Sequence, residues 1–192
     1  MNKNKFFQNS DVTTVARQLL GQLLTFNSGS HICSGMIVEV EAYRGIDDRA
    51  CHAYGGKRTA RTEVMYKEGG RTYVYLCYGI HHLLNIVTNR SGHADAVLIR
   101  ALEPVEGLNH MKHRTKENQW PTRGPGKLTK ALGIDMNDND MVLGDKLNIT
   151  KYRPVHLDEI ISTTRIGVGY AGEDAMLPWR YYIKNNPWVS RQ

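Results

Sequence analysis

Residues 96 to 101, AVLIRA, restrict the fold more than any other stretch of this chain. A strand with one solvated face alternates polar and apolar side chains. Here five of six residues are apolar, so both faces must be covered and the segment reads as a central, buried strand. Arg100 interrupts it. An arginine in such a strand needs an acid partner or a ligand to be buried at all.

The rest of the sheet is sought on either side. Residues 36–43 alternate as a strand, and TYVYLCY (72–78) and LLNIVT (83–88) supply two more. Gly79 lies in the short link between the last two, which makes that part of the sheet antiparallel. Ser10 or Asp11 can cap a helix with Val12, Val15, Ala16, Leu19, Leu20 and Leu23 at helical spacing. Pro104 permits a second helix, with Glu106 in its first turn, running towards Arg114. A loop follows over 115–121, and Gly124-Pro125-Gly126 opens a helix over 127–132 that Gly133 closes. KLNIT (146–150), IISTTRIGVGYAG (160–172) and RYYIKNNPWVS (180–190) complete the chain. With no repeat or linker, these elements predict one domain over 1–192, of α/β or mixed α+β class.

Composition narrows the function. The net charge is +6 over 192 residues, with basic residues recurring at Lys57, Arg58 and Arg61, at Lys67 and Arg71, and from Lys112 to Lys116. Such a balance favours polyanionic partners, and an ordinary basic enzyme is the alternative. No apolar run approaches the ~20 residues a membrane span needs. The N-terminus, MNKNKFFQNSD, lacks the apolar core of a secretory signal, so a cytoplasmic protein is expected. The three cysteines, Cys33, Cys51 and Cys77, form no C-x-x-C pair and predict neither disulfides nor zinc. DMNDND (135–140) resembles half a calcium loop without its glycine and terminal glutamate, and reads as a solvated turn. Neither metal nor cofactor is expected.

Glu39 and Glu41, two apart in a strand, project to one face about 7 Å from each other. A pair at that separation suits glycoside hydrolysis; a lone glutamate there is more often surface decoration, or else a general base. Tyr43 lies on the same face, and His52 follows across a loop short enough to fold back. In TYVYLCYG, Tyr73, Tyr75 and Cys77 share a face, and for Tyr73 simple packing suffices. Tyr78, at the turn, is harder to bury, and in a basic protein an exposed turn aromatic can act as a wedge between base pairs. Asn85, in LLNIV, either satisfies a neighbouring backbone group or tests the edge of a ligand. His81 and His82 lack metal-ligand spacing, and Cys51 next to His52 is a weak thiol-catalysis pair because adjacent strand residues diverge. Gly124 to Leu128 set a lysine at a helix start, a fair phosphate site.

Together, VEVEAYRGIDDRACHAYGGKRTAR, YVYLCYG, LIRALEP, GPGKL, RIGVGYAGE and NPWVS, in this order from about Gly35 to Ser190, resemble the alkyladenine (3-methyladenine) DNA glycosylase family of the mammalian type. The resemblance implies a compact mixed α/β domain with a curved, mainly antiparallel sheet flanked by helices, and a protruding hairpin that intercalates into DNA. It implies no cofactor and a monomer acting on damaged double-stranded DNA, in the nucleoid or the nucleus. Glu41 is then the general base, Arg100 and Ile166 help hold the attacking water, and Tyr43, His52 and Tyr75 stack on the flipped base. Tyr78 intercalates, Asn85 rejects a guanine amino group, and Glu39 has no catalytic role. The expected reaction is monofunctional: water cleaves the N-glycosidic bond of alkylated or deaminated purines and leaves an abasic site, without lyase activity. The chain departs from the family pattern in Gly79-Ile80-His81-His82, in the loop from Thr88 to Asp95, and in the glycine of GPGKL. A non-catalytic nucleic-acid-binding module and a sugar or nucleoside hydrolase using Glu39 with Glu41 are the competing readings.

Overall fold

The structure, a computed structural model, describes residues 3–144 and 146–191. Its helices are α1 (Lys3–Phe7), α2 (Val12–Leu19), α3 (Leu108–Thr115) and α4 (Pro125–Leu132). Its strands are β1 (Leu23–Asn27), β2 (Ile32–Tyr43), β3 (Arg71–Cys77), β4 (His81–Thr88), β5 (Asp95–Glu106), β6 (Leu147–Thr150), β7 (Ile160–Thr163) and β8 (Arg180–Ile183). The eight strands make a curled, antiparallel sheet in the order β3-β4-β5-β2-β1-β6, and β8 bridges β2 to β7. The class is mixed α/β, as the sequence suggested.

β5 lies between β4 and β2, and its pattern explains the near-continuous apolar run. Val97, Ile99 and Ala101 enter the main core with Val38, Val40, Ala42, Val74, Leu84 and Ile86. α2 closes this side against β2 and β5, and α4 against β4 and β5. Asp11 caps α2, its Oδ1 accepting from the Thr13 amide at 2.9 Å, and Val12, Val15, Ala16 and Leu19 are buried beneath it. The opposite residues of the same strands, among them Tyr73, Tyr75, Val87 and Ala96, face a second, smaller cluster roofed by short turns from residues 45–66. The period of two thus sorts each strand into a scaffold face and a cleft face.

Three local expectations are corrected. α2 ends at Leu19, and Leu23 instead begins β1, because Gly21 turns the chain with φ +79° and its amide bonds to the Ile37 carbonyl. Pro104 does not start a helix: β5 runs on to Glu106. Pro104 sits opposite Gly35 beside a register shift in the β2–β5 ladder, where its missing N–H is tolerated, and α3 begins only after Gly107. Residues 135–140 are more than a solvated turn. Asp138 is buried, Asn139 Oδ1 accepts from the Val74 amide at 3.0 Å, and Asp140 pairs with Lys67 and Arg71. The segment covers the outer edge of β3, which would otherwise expose unpaired backbone groups.

Removing that cover has a measurable cost. Asn139→Ala leaves the Val74 amide without its acceptor and is expected to lower stability by about 1–3 kcal/mol in urea unfolding. Asn137→Ala, on the exposed side of the same turn, should stay within about 0.5 kcal/mol of the parent.

Candidate active site

β2 ends at Tyr43, and the ladder it forms with β5 shifts register on both sides of Glu39. Glu39 and Glu41 still reach the same cation, Arg100. Arg100 Nε donates to Glu39 Oε1 at 3.1 Å, and its Nη1 lies 3.2 Å from Glu41 Oε1. Both carboxylates are fully buried. Burial works against the guanidinium charge, but Glu41 and Glu39 outweigh it and raise the Arg100 pKa above the ordinary arginine value.

From here the two acids part. Glu39 turns away from the cleft: Arg180 Nη1 donates to its Oε1 at 2.9 Å, and the Ser190 amide to its Oε2 at 2.6 Å. Among the described residues, those that bond the Glu41 carboxylate also line the cavity. The Ile166 amide donates to Oε1 at 2.7 Å, and the Tyr43 hydroxyl to Oε2 at 2.7 Å. Each of these is a donor, which an ionised carboxylate accepts without sharing a proton. The Tyr43 phenol is held well above its usual pKa, first by burial and then by the Glu41 charge, so it remains a donor.

The cavity above them measures about 490 Å³. Tyr43, Arg100 and Ile166 line it, Asn85 and Leu98 belong to its wall, and Tyr78 lies at its rim with 89% of its surface exposed. Glu41 itself sits one layer behind. Opposite runs a cluster of rings: His52 packs edge-on to Tyr75 with centroids 4.6 Å apart, and Tyr73 lies 5.4 Å from Tyr75. The Arg61 guanidinium stands over the Tyr75 ring at 4.8 Å. The far side of Tyr43 rests on Arg165, whose carbon is 4.8 Å from the ring centre. Arg165 in turn grips Asp48 with both terminal nitrogens and donates to the carbonyls of Ala42 and Asp174.

The hairpin turn is built for exposure. Tyr78 and Gly79 both take positive φ, 49° and 73°, as a primed turn requires, and the Ile80 amide closes it on the Cys77 carbonyl at 3.1 Å.

All eight residues singled out in the sequence therefore gather at this cleft: Glu41 beneath it, and Tyr43, His52, Tyr75, Tyr78, Asn85, Arg100 and Ile166 along it. Asn85 satisfies a neighbouring backbone group, its Nδ2 donating to the Tyr73 carbonyl at 3.1 Å, and it also lines the cavity. Tyr73, read from sequence as packing, is a cavity residue too, as its place on the face of Tyr75 already signalled. Arg61, Tyr170 and the Asp48–Arg165 pair went unnoticed; the last two partners lie 117 positions apart and carry no local pattern. Lys127, at the start of α4, pairs with Glu117 at 2.8 Å. Cys51 is buried, and burial pushes its thiol up to about 12, which disfavours the thiolate a nucleophile needs.

An acid held behind a cleft of aromatic rings, with a bare tyrosine on a turn at its rim, has the shape and chemistry of an enzyme site for a flat ring. The chain belongs to the methylpurine-DNA glycosylase family, whose model matches residues 5–187. Its activity is that of a DNA repair glycosylase. Among its relatives is a provisionally named 3-methyladenine DNA glycosylase of Bacillus licheniformis, 48% identical over 96% of this chain and 94% of its own. Those of Bacillus cytotoxicus and Borrelia garinii, likewise provisionally named, are 44% and 45% identical, covering 96% and 98% of this chain and 97% and 100% of theirs.

His52 gives the cleft a pH signature. Burial, followed by the charges of Arg61 and Lys57, lowers its pKa from 6.5 to about 4. Between those values the unfolded chain binds the extra proton, so the contribution of neutral His52 is complete above 6.5 and lost as pH falls through 4. An imidazole NMR titration should place the His52 midpoint near 4. The unfolding free energy relative to His52→Gln should fall by up to about 3 kcal/mol across that window.

Proposed function

We propose that the cleft receives an alkylated or deaminated purine rotated out of double-stranded DNA and that Glu41 activates the water that cuts its N-glycosidic bond. The observation that carries this reading is the hold on Glu41. Its carboxylate is fixed by Tyr43, Arg100 and Ile166, which all face the cavity, so a water at their junction meets the base and the sugar together. As the bond to the purine lengthens, the sugar gains oxocarbenium character, which the carboxylate stabilises while it takes the proton of the water.

The other roles follow from position. Tyr43, His52 and Tyr75 stack on the base; a cationic ring such as 3-methyladenine gains cation–π attraction from them as well. Asn85, on the wall, excludes a purine bearing a guanine-like amino group. Tyr78 fills the gap left in the duplex, at the cost of local unstacking. Among the described residues the cavity wall carries no lysine, which supports simple hydrolysis to an abasic site without strand cleavage. The protein acts as a monomer where chromosomal DNA lies, in the nucleoid or the nucleus.

The paired-carboxylate alternative is disfavoured by Glu39, whose oxygens are engaged by Arg100, Arg180 and the Ser190 amide, away from the cavity.

Glu41→Gln should lower single-turnover excision from a 3-methyladenine duplex by at least about 100-fold while leaving lesion binding in place. Undiminished cleavage would refute the assignment. Tyr78→Ala should weaken excision from duplex DNA at least about tenfold more than from an unpaired lesion, since the few kcal/mol of unstacking arise only in the duplex. Equal losses in gel-resolved cleavage assays would remove the wedge role.

A further inference from the structure

A stacking slot of rings grips a base but does not by itself help a neutral one to leave. A cationic purine departs as a neutral molecule, whereas a neutral purine such as hypoxanthine departs with a negative charge unless something in the cavity takes up part of it. Groups able to do so stand in the ring cluster opposite Glu41.

There the donors have a fixed direction. Arg61 Nη2 lies 3.4 Å from His52 Nε2, and a guanidinium has only donors to offer. His52 Nε2 must then be the acceptor, which puts the single imidazole proton on Nδ1. Nδ1 is 2.8 Å from the Tyr73 hydroxyl oxygen, so it donates there. With its oxygen accepting from His52, the Tyr73 hydroxyl has to direct its own proton elsewhere, and Tyr73 lines the cavity. The opposite order, Tyr73 donating to His52, would set an Nε2–H against the Arg61 donors.

We infer that Tyr73 is the hydrogen-bond donor to the departing neutral purine, and that Arg61, through the tautomer of His52, is the positioning residue that aims it. This rests on the reading of the cleft as a purine-excision site. In the step, the C1′–N9 electron pair goes to the purine and the water oxygen bonds to C1′ as Glu41 takes a proton from that water. The Tyr73 hydroxyl keeps its own proton and hydrogen-bonds the charge growing on the purine edge. The departing purine then takes up the equivalent of the proton that Glu41 releases. Burial raises the Tyr73 phenol to about 12, so it stays protonated throughout. Tyr73 is thereby a selectivity residue: neutral lesions need it and cationic lesions do not.

The test compares two duplexes, one with hypoxanthine and one with 3-methyladenine, under single-turnover conditions with saturating enzyme. Tyr73→Phe should slow hypoxanthine excision on the order of 100-fold, as loss of one aimed donor does elsewhere. Its 3-methyladenine rate should change by less than about threefold, a tenth or so of that effect or smaller. Arg61→Met, at an exposed position, should shift the ratio of the two rates in the same direction by about tenfold or more, and Tyr73→Phe should then abolish any further effect of Arg61→Met. Equal losses on both duplexes by folded Tyr73→Phe overturn the inference. If circular dichroism shows that Tyr73→Phe does not fold, Arg61→Met decides alone, and an unchanged ratio overturns it. Parent protein inactive on both duplexes would defeat the purine-excision reading itself; an active parent with unaltered ratios in the variants defeats only the role of Tyr73.

Discussion

The shared guanidinium of Arg100 is the contact on which the rest of the site depends. It lies on a strand buried on both faces, and it bonds two fully buried carboxylates from the neighbouring strand. Two acids so close in a dry interior would repel each other, and an unpaired buried charge costs several kcal/mol. Arg100 solves both problems from the cleft face of β5, while Arg180 supplies a second cation to the same Glu39 oxygen. The consequence is a division of labour between two residues that look alike in sequence. Glu39 ties the end of the chain, through the Ser190 amide, to the centre of the sheet, and Glu41 is left with contacts that all belong to the cavity. Glu39 is therefore no neutral control for Glu41; removing its charge would strand two arginines.

What the sequence disclosed follows the range of the interactions involved. AVLIRA announced a central strand because coverage on both faces is written into local composition. Strand periodicity put Tyr43 with Glu41 and Tyr75 with Tyr73. The tight turn at Tyr78-Gly79 was visible for the same reason. Pro104 misled because a proline that opens a helix and one that sits at a bulge look identical until the opposite strand is known. The sixfold ordered resemblance pointed to the family, which residue type alone left open.

The unread parts are those closed by distant partners. Asp48 and Arg165 form a buried pair that joins the 45–50 turn, the end of β2 and the segment carrying Ile166, and Arg165 backs the Tyr43 ring as well. One guanidinium thus sets both the wall of the cleft and the amide that holds Glu41. Arg61, by contrast, lay in a basic run where any charge reads as solvated surface; only its contact with His52 and Tyr75 separates it from Lys57 and Arg58.

The β3–β4 hairpin carries the exposed Tyr78 at its turn and the cavity tyrosines Tyr73 and Tyr75 along the same strand. Strand geometry fixes the separation between Tyr75 and Tyr78, three residues, at about 10 Å. The hairpin is accordingly a ruler. It ties the exposed aromatic at the rim to the tyrosines inside the cavity, so the distance from rim to cavity is set by counting residues along one arm of the hairpin.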